Sequence, residues 1–373
     1  VSEARYLSSF HEDPLYLNHA SYGPPSRNVV DTTHELLEIA AAGGPDASAR
    51  LHSEDSRAKA AIASLTGIPV DRVALTANTS LGLMQVAFGI GGGDVVVSPD
   101  EFPANVYPWL RARDAGLLGV RTIEREPSAS PLRVTPDVVA AALTPKVVAV
   151  SVSAVDFRTG IVTDLAGIRS VIGDRLLIVD GIQGFGVADL DWSLADAVVV
   201  GGQKWLRAGW GAAFLGFSER GIDRIRPVLG GWTGVENPTT YDGVEHAALE
   251  GAAKHSITNL SPFATGSLAT ALELVADVGV ATIADRIGST ADALIEALDA
   301  ARMKVLSPRE RHHRAGIVVA GIRGGRAPLA HRRLSDAGVT TTLHGTDRIR
   351  LSIHATTTAE AAQSAAAILG EFA

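Results

Sequence analysis

One lysine stands where chemistry is expected. Lys204 follows an apolar run and two glycines in the stretch AVVVGGQKWLRAGWG. An amine leaving a buried strand is partly withdrawn from water. Its pKa then falls, and it is free to act as nucleophile or base. The competing use is a stem lying along apolar surface with its ammonium in water. The neighbouring Trp205 and Trp210 weigh against that use, as walls of a pocket or as core. Asp180 closes a second apolar run, LLIVD, just before Gly181. A carboxylate so placed needs a partner. It can neutralise a cationic heterocycle nitrogen, bind a metal or cap a turn. Metal is the weakest choice, because no second carboxylate or histidine follows at ligand spacing. Thr79 and Ser80 open a helix directly after VALTAN. Free amides, the helix dipole and two hydroxyls suit a phosphate, and ordinary N-capping is the alternative. The segment GIGGGD precedes a strand and lacks the Lys-Ser/Thr of a nucleotide loop, so it reads as a turn.

These residues need a frame that gathers them. Apolar runs at 73–78, 94–100, 117–123, 147–155, 176–181, 195–202 and 211–217 read as strands. Helical patterns separate most of them, at 79–88, 107–115, 137–143 and 164–172. Near-continuous apolar strands at crossover spacing predict a mostly parallel sheet covered on both faces by helices, an α/β fold. In such sheets ligands sit beyond the carboxyl ends of the strands. There the sequence places Asn78, Thr79 and Ser80, then Glu101, Phe102 and Asn105, then Asp156 and Arg158, then Asp180 and Gln183, and lastly Gln203 and Lys204. Upstream, LYLNHASYGPP predicts a short strand and a Pro-Pro break, preceding helices over 28–42 and 53–66. Downstream, long helices over 266–278 and 281–300, strands at 316–322 and 348–353, and helices near 327–337 and 359–370 predict a smaller α+β domain. The expected division is an arm over 1–24 that contributes to the small domain or to a dimer contact, a large domain over 25–250 and a small domain over 251–373.

Composition narrows the classes. The chain has 373 residues, 46% of them apolar, enough for a sizeable core. A net charge of -8 argues against a nucleic-acid partner. No run of 18 apolar residues predicts a membrane span, and the first residues lack the apolar stretch of a signal peptide. There are no cysteines. Disulfides, thiolate metal sites and cysteine nucleophiles are thereby removed together, in keeping with a cytoplasmic protein. The missing G-x-G-x-x-G after an early strand disfavours a dehydrogenase.

Taken in order, these motifs resemble the class V aminotransferase family of pyridoxal phosphate enzymes, fold type I. That family includes cysteine desulfurases, kynureninase and isopenicillin N epimerase-like proteins. The likeness runs from YLNHASYGP (16–24) to RLSIHATTT (350–358). It implies a fold type I architecture, pyridoxal 5'-phosphate as cofactor and an amino acid as substrate. It also implies a homodimer with shared active sites. By resemblance, Lys204 is the lysine that forms the internal aldimine and later carries protons. Asp180 keeps the pyridine nitrogen protonated, and Gln183 donates to the phenolic oxygen. Thr79 and Ser80 match the phosphate turn, and Gln203 stands where many members carry a phosphate-contacting histidine. Phe102 matches the aromatic ring stacked on the cofactor. Arg350 matches the arginine that grips the substrate α-carboxylate. Thr258 and Asn259 are aligned with residues that reach the partner's phosphate.

The departures concern the reaction. Without cysteine, persulfide-forming desulfurase chemistry is excluded, although a sulfur-releasing β-lyase is not. Gly201 replaces a serine frequent in desulfurases, and VSAVDFRTG lacks their asparagine, for which Asp156 or Ser153 is a candidate substitute. Thr341 and His344 stand in place of an arginine-bearing loop. His344 is either an acid/base group near the substrate or a solvated loop histidine. The expected activity is transamination, with β-elimination or epimerisation as alternatives. From another class, a non-catalytic binding protein on the same fold is the competing reading.

Overall fold

The computed structural model describes residues 2–124 and 133–373. Seven strands form the large sheet: β1 (Val73–Thr76), β2 (Asp94–Val97), β3 (Gly119–Thr122), β4 (Val147–Ser153), β5 (Leu176–Asp180), β6 (Ala197–Gly201) and β7 (Ala213–Phe217). Their spatial order is β1-β7-β6-β5-β4-β2-β3. Only β7 runs against its neighbours, pairing antiparallel with β1 and β6. The others pair in parallel, as the crossover spacing requires. Alternation along each strand divides the core in two. Val150, Val152, Leu177, Val179, Val198 and Val200 face one layer with Ile168 and Leu272. Ala149, Leu176, Ile178, Ala197 and Val199 face the other with Leu83, Val86 and Trp109. Strands buried on both faces have no polar side, which is why they read as unbroken apolar runs.

A four-stranded sheet forms the smaller C-terminal part, ordered β10-β11-β9-β8 and antiparallel throughout. Its strands are β8 (Lys304–Val305), β9 (Ile317–Gly321), β10 (Thr342–His344) and β11 (Arg348–Ser352). The two long helices Pro262–Val278 and Val280–Ala300 meet at Gly279, φ +85°, with a bend of 81°. No single helix among the described residues is long and apolar enough to cross a membrane.

Several elements differ from the sequence reading. The strand expected in LYLNHAS is only two single bridges, Tyr16 to Thr340 and Asn18 to Ser352. A helix, Glu3–Ser8, precedes it. The helix expected from residue 53 begins at Ala47. Its first turns are rich in helix formers but face solvent, so they carry no apolar period. The segment around His344, read as a loop, contains β10. This strand is too short and polar to show alternation, and it folds back through Gly345, φ +60°.

Candidate active site

Parallel packing brings the carboxyl ends of β4, β5 and β6 side by side, with Ser153 in register with Asp180. Asp180 is 2% exposed, and its Oδ1 accepts from the Ile182 amide at 3.0 Å. Burial pushes its carboxyl up to about 6, against the pull of that amide and of the Lys204 cation. Lys204 is 8% exposed. Burial brings its amine down to about 8, opposed by Asp180 and reinforced by Arg350. Its Nζ lies 5.1 Å from the centroid of the Phe102 ring. Lys204, Asp180 and Phe102 are thus brought together.

Around them the chain builds two polar niches. One lies at the start of the helix Thr79–Gly89. Asn78 caps it through Oδ1, which accepts from Leu81 N at 2.9 Å. The amides of Thr79 and Ser80, in the first turn, have no intrahelical acceptor. Thr79 Oγ1 is buried and without a hydrogen-bond partner, whereas Ser80 is exposed. A Cβ on Gly201 would stand 2.5 Å from Gln203 Oε1 and 2.6 Å from Thr79 Oγ1. The three residues therefore converge on a space that only glycine leaves open.

The second niche surrounds Arg350, on β11. Its Nη1 donates to the Phe157 carbonyl at 3.0 Å, and its Nη2 donates to Ser21 Oγ at 2.7 Å and Thr342 Oγ1 at 3.1 Å. Its Nε is buried and unpartnered. No carboxylate among the described residues forms an ion pair with Arg350, and burial brings it down to about 10. A buried guanidinium facing only neutral acceptors is a place for an anion. His344 lies near, its ring 6.0 Å from that of Phe157, which in turn stands edge-on to Phe102 at 5.2 Å. Burial, then Arg350, Arg348 and Arg158, bring His344 down to about 4, so its imidazole is neutral at pH 7.

Other expected residues have different surroundings. Gln183 is buried. Its Nε2 donates to the Ala20 carbonyl at 3.1 Å, and its Oε1 accepts from Trp205 Nε1 at 2.7 Å, which leaves one amide proton uncommitted. Trp205 is therefore a core residue that orients Gln183. Trp210 is 69% exposed and stacked on Tyr22 at 4.1 Å. Asp156 is occupied locally, accepting from the amides of Arg158 and Thr159 and from the Arg158 guanidinium. Ser153 pairs with Glu101, its amide donating to Oε1 at 2.8 Å and its hydroxyl to Oε2. Burial pushes Glu101 up to about 7, with Asp180 and Asp156 adding to the rise against the two serine donors. Thr341 is buried, whereas Thr342, one residue on, reaches Arg350. Thr258 and Asn259 are exposed, and Thr258 Oγ1 accepts from the exposed Trp232 indole at 3.1 Å. The chain alone does not bury them against Lys204.

Missed at the sequence level were Glu101 as the partner of Ser153, and Ser21, Thr342 and the Phe157 carbonyl as the holders of Arg350. Glu101 had a usable signal, its place directly after a strand. The holders of Arg350 had none, since they are gathered from three distant segments.

The chain is 27% identical over 252 residues to kynureninase from Deinococcus radiodurans, a stretch covering 65% of this chain and 59% of that one. It is 30% identical over 228 residues to isopenicillin N epimerase from Amycolatopsis lactamdurans, covering 58% and 57%. The chain thus spans less than two thirds of either relative's length. Among solved structures it matches the cystine C-S lyase C-DES, in complex with cysteine persulfide, with a TM-score of 0.86 at 21% identity. That match covers 96% of this chain and 97% of that one. It matches apo cysteine desulfurase from Thermococcus onnurineus NA1 with a TM-score of 0.84 at 19% identity, covering 95% and 94%. These likenesses describe the fold. The aminotransferase class-V family model matches residues 15–360. The chain belongs to the class V aminotransferase family, and its cofactor is pyridoxal phosphate.

Proposed function

We propose that the protein is an aminotransferase that takes the amino group of an amino acid and carries the α-proton on Lys204. Bound pyridoxal phosphate supplies an electron sink that stabilises negative charge at the substrate α-carbon. The residues suit it. The unpartnered Thr79 hydroxyl and Gln203 face the space kept open by Gly201, at the start of a helix whose first-turn amides and Ser80 hydroxyl would donate to a phosphate. Asp180 is a buried anion in need of a cation, which a protonated ring nitrogen would be. Gln183 has one free amide proton for the phenolic oxygen, and Phe102 offers an aromatic face beside Lys204. Arg350 takes the substrate carboxylate on the guanidinium that lacks an acidic partner. This orients the amine and the α-proton toward Lys204. Because burial lowers the Lys204 amine to about 8, roughly a tenth of it is unprotonated at pH 7, far more than of an ordinary lysine, and ready to accept that proton.

What favours transamination over epimerisation is the state of the other acid/base groups near Lys204: Glu101 is committed to Ser153 through both carboxylate oxygens. Inversion needs a proton donor on the face opposite Lys204. His344, the imidazole near Arg350, is uncharged at pH 7 and ringed by arginines. We also propose a homodimer in which Thr258 and Asn259 complete the partner's phosphate site. Their exposure supports this, as do the exposed apolar side chains Val228, Trp232, Tyr241 and Val244 in the preceding segment.

The test mixes holoenzyme with a panel of L-amino acids and no keto-acid acceptor, following cofactor absorbance and products. Conversion to pyridoxamine phosphate with one matching keto acid is expected. An unchanged cofactor with consumed or inverted substrate refutes transamination, and the product identifies the lyase or epimerase instead.

A further inference from the structure

Behind the Lys204 loop lies a buried polar junction that the proposed reaction does not use. Arg207 is 1% exposed and has φ +61°, a left-handed conformation that favours glycine. Its Nε donates to the Pro24 carbonyl at 2.6 Å, its Nη1 to Thr356 Oγ1 at 3.2 Å and its Nη2 to Glu12 Oε2 at 2.5 Å. Its guanidinium lies 3.7 Å from the centroid of the Phe10 ring. Thr356 Oγ1 also donates to Glu12 Oε1 at 2.5 Å. Arg207 thereby bonds both ends of the arm segment 12–24, through Glu12 at one end and Pro24 at the other.

The closed segment reaches the site at each step. Ala20 O accepts from Gln183, and Ala20 N donates to Ser352 Oγ at 2.9 Å. Ser21 Oγ accepts from Arg350 at 2.7 Å. Asn18 Oδ1 accepts at 2.6 Å from Thr342 Oγ1, the other hydroxyl on Arg350. Gly23 N donates to Gln203 O at 2.9 Å, and a Cβ on Gly23 would meet Lys204 O at 2.0 Å. The arm therefore lies locked between the lysine loop and β11.

We infer that Arg207 and Glu12 form a clasp that holds residues 12–24 in one conformation and so positions Arg350 for the substrate carboxylate. This rests on reading Arg350 as the carboxylate site. Glycine would be the unstrained residue at 207, and a strained, buried arginine there calls for a task done by its side chain. An ion pair in this position orders a unique arrangement more than it stabilises the fold. Arg207 and Glu12 are positioning residues, since neither side chain bonds to Lys204 or Asp180; the Arg207 backbone amide alone reaches the lysine, donating to the Lys204 carbonyl at 3.0 Å.

The experiment measures binding of trifluoropropionate, a carboxylate without an amine, to the holoenzyme by fluorine NMR, beside the pyridoxal phosphate affinity and the melting midpoint. Arg207→Gly relieves the backbone and deletes the clasp. It is expected to weaken the carboxylate about tenfold, ~1.4 kcal/mol, with a smaller loss of cofactor affinity, since the arm also bonds Gln183 and Gln203. The double variant Glu12→Leu/Arg207→Met replaces the pair by apolar groups and is expected to keep the melting midpoint while losing the same affinity. It also decides the matter if Arg207→Gly does not fold. Wild-type carboxylate affinity in either variant overturns the clasp. Carboxylate binding that is indifferent to Arg350→Gln overturns the Arg350 reading and the clasp with it. Binding that needs Arg350 but not Arg207 overturns the clasp alone.

Discussion

Gly201→Ala adds one methyl group where Thr79, Gln203 and the last residue of β6 converge. Gly201 is not in the left-handed region, so alanine meets no backbone penalty there and the effect is one of space. The new Cβ would stand 2.5 Å from Gln203 Oε1 and 2.6 Å from Thr79 Oγ1, well inside contact distance. Gln203 can swing its amide away. Thr79 cannot, because it is buried at the first position of a helix with a β-branched side chain. The methyl therefore stays against the one buried hydroxyl that awaits a partner. Overpacking of this kind costs roughly 1–3 kcal/mol. If the space holds the cofactor phosphate, that cost falls on binding, and pyridoxal phosphate affinity drops roughly 5- to 150-fold. The assay is titration of apoprotein with pyridoxal phosphate, followed by cofactor absorbance, with the melting midpoint of the apoprotein as control. Unchanged affinity in a folded variant would show that the phosphate binds elsewhere and would refute the assignment of Thr79 and Gln203.

Other expectations concern the amine and the guanidinium. Lys204→Ala is expected to abolish turnover and the absorbance that marks attachment of the cofactor to the protein; full activity with cofactor present would sink the lysine assignment. In apoprotein the Lys204 amine should react with an acylating reagent along a titration centred at about 8, its reactive free-base form being lost as pH falls through that value. Asp180→Asn should shift that midpoint down, because Asp180 favours the charged amine; an upward shift refutes the coupling. Arg350→Gln should raise KM for the amino acid at least about 30-fold, from the ~2 kcal/mol or more lost with a desolvated charge pair, with cofactor affinity intact. Steady-state kinetics beside a cofactor titration check it, and an unchanged KM contradicts the role of Arg350.

Much of this site was legible in the sequence because its members follow strands. A parallel sheet delivers every carboxyl end to one edge, so Asp180, Lys204 and the Thr79 turn had to meet once the strands were recognised. The sheet itself was legible because strands covered on both faces carry no polar alternation. The antiparallel course of β7 was not, since GAAFLGF is as apolar as the strands that pair in parallel. Nor was the availability of each group. Asp156 is occupied by its own turn, Gln183 by Trp205 and the arm, and His344 is kept neutral by burial first and then by Arg350, Arg348 and Arg158.

By itself, then, the sequence determined the fold class, the place of Lys204 and Asp180 at the carboxyl ends of neighbouring strands and, through the absence of cysteine, the loss of thiol chemistry. These depend on residue type and on periodicity along the chain, which are local properties. Only the tertiary structure decided that Ser21, Thr342 and the Phe157 carbonyl hold Arg350, that Glu101 pairs with Ser153, and that Arg207 clasps the arm. Those facts rest on contacts and burial between segments up to hundreds of residues apart, and desolvation by such packing, more than residue type, sets which buried groups carry charge.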